Sequence, residues 1–152
     1  MLDDIARFLQ TPRQRLFFGP PNEAHVRPEL IFPGSFNPLH EGHLGMANHA
    51  AKVMQQRVHF EISVTNVDKP MLSAEPLLAR VKQFTESAVW LTKAPTFAEK
   101  AQVFPSATFI VGADTVARLI DPTYYPNSPQ MRSSFERIKA AGCKFLAFGR
   151  CK

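Results

Sequence analysis

Five short apolar runs of strand length, separated by stretches whose apolar residues recur at helical spacing, leave this chain few folds to choose from. The runs are Leu30-Ile31-Phe32, Val58 to Val64, Ala88 to Leu91, Thr108 to Val111 and Phe145 to Phe148. Between them, Leu44, Ala47, Ala51 and Met54 mark one helix, and Leu77, Leu78, Val81 and Phe84 mark another that Ser73 caps with Pro76 in its first turn. Thr96 and Glu99 have capping-box spacing, so a short helix follows Pro95. Thr115 to Ile120 reads as helical, and Ser128-Pro129 and Gly142 bracket a last helix. Strands alternating with helices predict an α/β domain with a mostly parallel five-stranded sheet and right-handed crossovers. In the second run Val58, Phe60, Ile62 and Val64 alternate with His59, Glu61 and Ser63, which predicts a strand with one incompletely covered face.

Ahead of the first strand, residues 1–29 read differently. Leu2 to Gln10 suit a short amphipathic helix with Asp3 and Asp4 in its first turn. The stretch TPRQRLFFGPPNEAHVRPEL holds four prolines and a glycine and reads as a linker or wrapping arm outside the sheet. The division expected is thus an N-terminal helix and Pro-rich arm over 1–29 and one α/β domain over 30–152.

At 152 residues a single domain can bury about 70% of the surface its unfolded chain exposes. With 45% hydrophobic and 20% charged residues and no apolar run of membrane-spanning length, the chain reads as soluble. MLDDIARFLQ is acidic and amphipathic, unlike a secretory signal, so the cytoplasm is the expected location. Cys143 and Cys151 lack a CxxC or a second ligand pair and are expected as ordinary reduced thiols. The net charge is +5, and from Asp114 to Lys152 seven basic residues stand against three acidic, so +4 of it lies there. Such a tail suits an anionic ligand such as a nucleotide and equally a solvated surface. No basic-aromatic platform accompanies it, so nucleic acid is not an expected partner.

In such folds ligands bind beyond the carboxyl ends of the strands. Three segments fall there: IFPGSFNPLHEGHL (31–44), the 66–69 loop and Gly112-Ala113-Asp114. Gly34 allows a sharp turn and close backbone approach, and a helix N-terminus after it presents free N–H groups to an anion. His40 and His43, three apart near that helix start, add side-chain donors on one side, so the loop reads as a phosphate cradle. The alternative is that Gly34 and Pro38 punctuate a turn and the histidines are polar surface residues. A zinc motif H-E-x-x-H would space its histidines four apart, and here Gly42 lies between a pair three apart. Neither a Walker A loop nor a G-x-G-x-x-G fingerprint occurs.

Gly34-Ser35-Phe36-Asn37-Pro38-Leu39-His40-Glu41-Gly42-His43 resembles the G-x-F-[ND]-P-x-H-x-G-H signature of the HxGH nucleotidyltransferase superfamily. Its GSFNP form is similar to that of nicotinamide-nucleotide adenylyltransferases. Phe109 to Thr115, FIVGADT, looks like the family's GAD segment, and the resemblance spans roughly Leu30 to Arg150. It implies a Rossmann-like nucleotidyltransferase fold and transfer of AMP from ATP to a phosphorylated acceptor, nicotinamide mononucleotide first, with release of pyrophosphate. Alternatives are an acceptor such as phosphopantetheine, a cytidylyl transfer, or a nucleotide-binding homologue without turnover.

The resemblance further implies that His40 and His43 are catalytic and that Gly34, Ser35, Phe36 and Asn37 join them around the nucleotide phosphates. Asp114, with the Gly112 backbone, would hold the ribose hydroxyls, although a carboxylate there also suits an N-cap. Lys69 would position the acceptor's phosphate, or VTNVDKP is a solvated turn, and Arg80 on the next helix is a second acceptor candidate. Magnesium would ride on the triphosphate, so no protein metal ligand is expected. The family's second phosphate-binding segment, ISSTxxR-like, follows the strand matching Lys144 to Arg150, and the sequence ends at Lys152 without it. The expectation is a C-terminally incomplete domain with weak nucleotide binding and slow turnover.

Overall fold

The computed structural model describes residues 1–65 and 71–149, so Lys69 and Cys151 lie outside the described residues. The chain runs α1 (Leu2–Gln10), β1 (Arg15–Phe18), β2 (Leu30–Pro33), α2 (Glu41–Met54), β3 (His59–Ser63) and α3 (Ala74–Val81). It continues β4 (Ala88–Thr92), α4 (Phe97–Val103), β5 (Thr108–Gly112), α5 (Ala113–Leu119), α6 (Ser128–Ala140) and β6 (Lys144–Phe148). The five expected strands pair in parallel in the order β4-β3-β2-β5-β6. Because β2 has β3 on one side and β5 on the other, the strand order reverses between β2 and β5, the place where doubly wound sheets open a crevice.

The sheet has six strands rather than five. Arg15–Phe18, expected outside the sheet, pairs antiparallel with β4 in the register Leu16 with Leu91 and Phe17 with Trp90. Pro12 and Pro20 flank the strand instead of interrupting it, so every N–H of RLFF remains able to donate. Arg15 lies over the Trp90 ring at 4.6 Å and donates to the Val103 carbonyl at 3.2 Å. Ile5, Phe8 and Leu16 join Leu30, Phe60 and Leu77 in one core cluster, so residues 1–29 share the core of the rest.

The polar face of β3, expected to be incompletely covered, is closed over at His59 and Glu61, while Ser63 is half-buried. His59 and Glu61 are buried, because each finds partners there instead of solvent. Trp90 Nε1 donates to His59 Nδ1 at 2.9 Å, and Lys100 Nζ meets Glu61 Oε1 and Oε2 at 2.9 and 2.8 Å.

Helix ends follow the sequence with small shifts. Thr96 Oγ1 accepts from the Glu99 N–H at 3.2 Å and caps α4 as expected. Ser73 occupies the N-cap of α3 without a side-chain bond, and α6 is capped one residue earlier than expected, by Asn127 accepting from Gln130 N–H. Gly142, at φ 76, takes the left-handed turn after α6 that a Cβ would strain.

Candidate active site

The loop from Gly34 to Leu39 is wrapped around its own phenylalanine. Phe36 buries its ring against Phe32, Phe60 and Phe84, with centroid separations of 5.4 Å to each, and meets His43 at 5.0 Å. Burying such a ring is worth about 2 kcal/mol, enough to hold the backbone of Phe36 in the left-handed region at φ 46. Gly34 is needed for the same reason: a Cβ there would come within 2.8 Å of the Phe36 ring. The Gly34 N–H donates to the Glu61 carbonyl at 3.0 Å and so fixes the loop's start to β3. Ser35 and Asn37 are exposed on the other side, and the Asn37-Pro38 peptide is cis.

His40 is the N-cap of α2, and its N–H donates to His43 Nδ1 at 3.1 Å. The two rings stack at 3.5 Å between centroids, tilted 20°. A Cβ at Gly42 would approach His40 Cε1 to 3.0 Å, so the glycine between the histidines leaves room for this stack. With Nδ1 accepting, neutral His43 carries its proton on Nε2 as a donor. Burial, and then the neighbouring His40, hold the His43 pKa below its ordinary value, which favours that neutral form.

A cleft of about 970 Å³ opens at the carboxyl ends of β2, β3 and β5. Of the residues singled out in the sequence, Gly34, Ser35, Asn37, His43, Arg80, Gly112 and Asp114 line it. Phe36 and His40 are not among its lining residues: the Phe36 side chain belongs to the core, and His40 stacks on the His43 ring. Gly112 caps α5 and Asp114 sits exposed in that helix's first turn, so Asp114 is not the N-cap. Arg80 Nη1 reaches the Ser35 carbonyl at 3.4 Å from α3. Among the described residues no cluster of three or more His, Cys, Asp or Glu is arranged to hold a metal ion.

A family model for cytidylyltransferase-like proteins matches residues 31–148, which takes in the loop, all of the cleft lining but Gly149, and all of the parallel strands but Leu30. The chain belongs to the cytidylyltransferase-like family. Membership supports nucleotidyl transfer as the general activity of this cytidylyltransferase-like domain. No curated protein matches the chain. Among solved structures it is similar to a protein of unknown function from Archaeoglobus fulgidus, with 14% identity over 81% of this chain and 89% of that one and a TM-score of 0.46. No helix among the described residues is long and apolar enough to cross a membrane.

Two features of this cytidylyltransferase-like site were not singled out from sequence. The first is a buried ion pair in the cleft wall, where Lys100 also donates to the Ala94 carbonyl at 2.8 Å and Thr92 Oγ1 donates to Glu61 Oε2 at 2.6 Å. Its signal was Glu61 in the middle of an alternating strand, a position that tolerates a charge only when a partner accompanies it. The second is Gln83, whose amide holds the loop from below: the Leu39 N–H donates to Oε1 at 2.7 Å, and Nε2 donates to the Phe36 carbonyl at 2.7 Å. Nothing in the sequence marks it, since both partners are backbone groups more than forty residues away.

Proposed function

We propose that this cleft transfers the adenylyl group of ATP to a phosphorylated acceptor, nicotinamide mononucleotide first, with release of pyrophosphate. An acceptor phosphate oxygen attacks the α-phosphorus, and the bond to the β-phosphate oxygen breaks as pyrophosphate leaves. The observation that carries this reading is the fixed Nε2–H donor of His43 at the mouth of a glycine-bearing loop and helix start. Such chemistry needs alignment and stabilisation of spreading negative charge more than a covalent nucleophile. In this reading His43 and His40 serve the phosphates together with the Gly34 to Asn37 loop, Asp114 and the Gly112 backbone serve the ribose, and Arg80 serves the acceptor phosphate with Lys69.

Magnesium fits as a companion of the triphosphate. The two Glu61 oxygens in the cleft wall are already taken up by Lys100 and Thr92. Bound that way, the ion would offset phosphate charge while the chain's own donors orient it. A pyrophosphate-release screen tests the proposal, pairing ATP or CTP with magnesium and with nicotinamide mononucleotide, its acid analogue or phosphopantetheine. Release should be fastest with ATP and nicotinamide mononucleotide. A faster rate with CTP or another acceptor would move the substrate assignment, and no release from any pair would overturn the proposal.

A further inference from the structure

We propose that Gln83 is a positioning residue for the transfer reaction, holding the Phe36 to His40 backbone and Arg80 as one unit; the inference rests on the function proposed above. Its half-buried amide makes three bonds, from the Leu39 N–H to Oε1 at 2.7 Å and from Nε2 to the carbonyls of Phe36 at 2.7 Å and Arg80 at 3.0 Å. One N–H and two carbonyls around the amide admit a single orientation of its oxygen and nitrogen. The two loop bonds bracket Asn37 and Pro38. One of them falls on the carbonyl of Phe36, whose left-handed backbone is costly for a bulky residue unless its surroundings hold it. The other falls on Leu39, next to His40, whose N–H fixes the His43 ring. Three residues back, near the end of α3, Arg80 reaches the Ser35 carbonyl and lines the cleft. A displacement of the Gln83 amide therefore moves the histidines relative to Arg80, the two sides between which a phosphate would have to align.

The test uses Gln83→Glu, which keeps size and one acceptor but turns an oxygen toward two carbonyls, and Gln83→Met, which fills the same space without polar atoms. The expected result is a fall in kcat for pyrophosphate release of about 10-fold or more, because small misplacements of aligned groups cost at least that much. Independently of activity, the His43 imidazole followed by NMR should titrate closer to its ordinary value of 6.5 as its seat on Phe36 and beside His40 loosens. A merely structural role would lower the melting temperature and leave both readouts unmoved, and that result overturns the inference. If Gln83→Met does not fold, the isosteric Gln83→Glu decides. If the wild-type chain releases no pyrophosphate from any pair, the proposed function falls, and the His43 titration in the variants alone shows whether Gln83 sets the loop.

Discussion

Because His43 Nδ1 accepts the His40 N–H at 3.1 Å, the neutral ring carries its proton on Nε2, and the lowered pKa favours that neutral form. A donor held in advance loses little in reorganisation when negative charge develops on a phosphate. His43→Ala should therefore lower turnover by about 10²-fold or more, the usual loss for one preorganised donor. The fold should survive, since the residue is only half-buried and lies in the first turn of a helix, and circular dichroism would confirm it. An unchanged rate in an active protein would remove His43 from the chemistry. That His40 and His43 meet at a helix start was legible because their spacing and the glycine between them are local facts, readable along the chain. The same local reading did not show that the Phe36 side chain packs in the core, and had no means of reaching Gln83, whose loop contacts are distant backbone partners.

Between elements, the ion pair of Glu61 on β3 with Lys100 on α4 joins the sheet to the helix layer beside the cleft. Neither charge has solvent to fall back on, with Lys100 6% and Glu61 0% exposed. Lys100→Met should cost about 3–5 kcal/mol by leaving an uncompensated buried carboxylate, read from urea unfolding. The double substitution Glu61→Leu with Lys100→Met should cost less than the single one, because it removes the stranded charge. If the double variant is the less stable of the two, the pair contributes more than it costs to bury. The parallel strands were legible from apolar runs and helical spacing, both short-range signals. β1 was not, because RLFF is only four residues long, lies among prolines, and becomes a strand by pairing with β4 more than seventy residues later. The covering of β3 was missed for a related reason: alternation shows which residues share a face, and only the packed chain supplies Trp90, Thr92 and Lys100 as their partners.

The N-terminal segment and the sheet are fastened together at the end of the molecule opposite the cleft, and that fastening is sensitive to protons. Glu23 is buried there, with Arg57 Nη1 at 3.0 Å and His59 Nε2 at 3.6 Å from its two oxygens. His59 Nδ1 accepts the indole N–H of Trp90, the only tryptophan in the chain, so protonating the ring at Nδ1 must break that bond. Burial lowers the His59 pKa, an effect the carboxylate of Glu23 opposes and Arg57 reinforces, and the result lies below the ordinary 6.5. The unfolded chain then binds a proton at a higher pH than the folded one does. Stability from this site is complete above about pH 6.5, is lost as the pH falls from there to the folded-state value, and changes no further below it. Urea midpoints at about pH 7.5 and about pH 5.5, read from Trp90 fluorescence, should differ more for the wild type than for His59→Gln, which has no proton to take up. His43, also held below its ordinary value, is present in both proteins and cancels in the comparison. Equal losses in the two proteins would place the pH sensitivity elsewhere and leave His59 as a neutral link between strands.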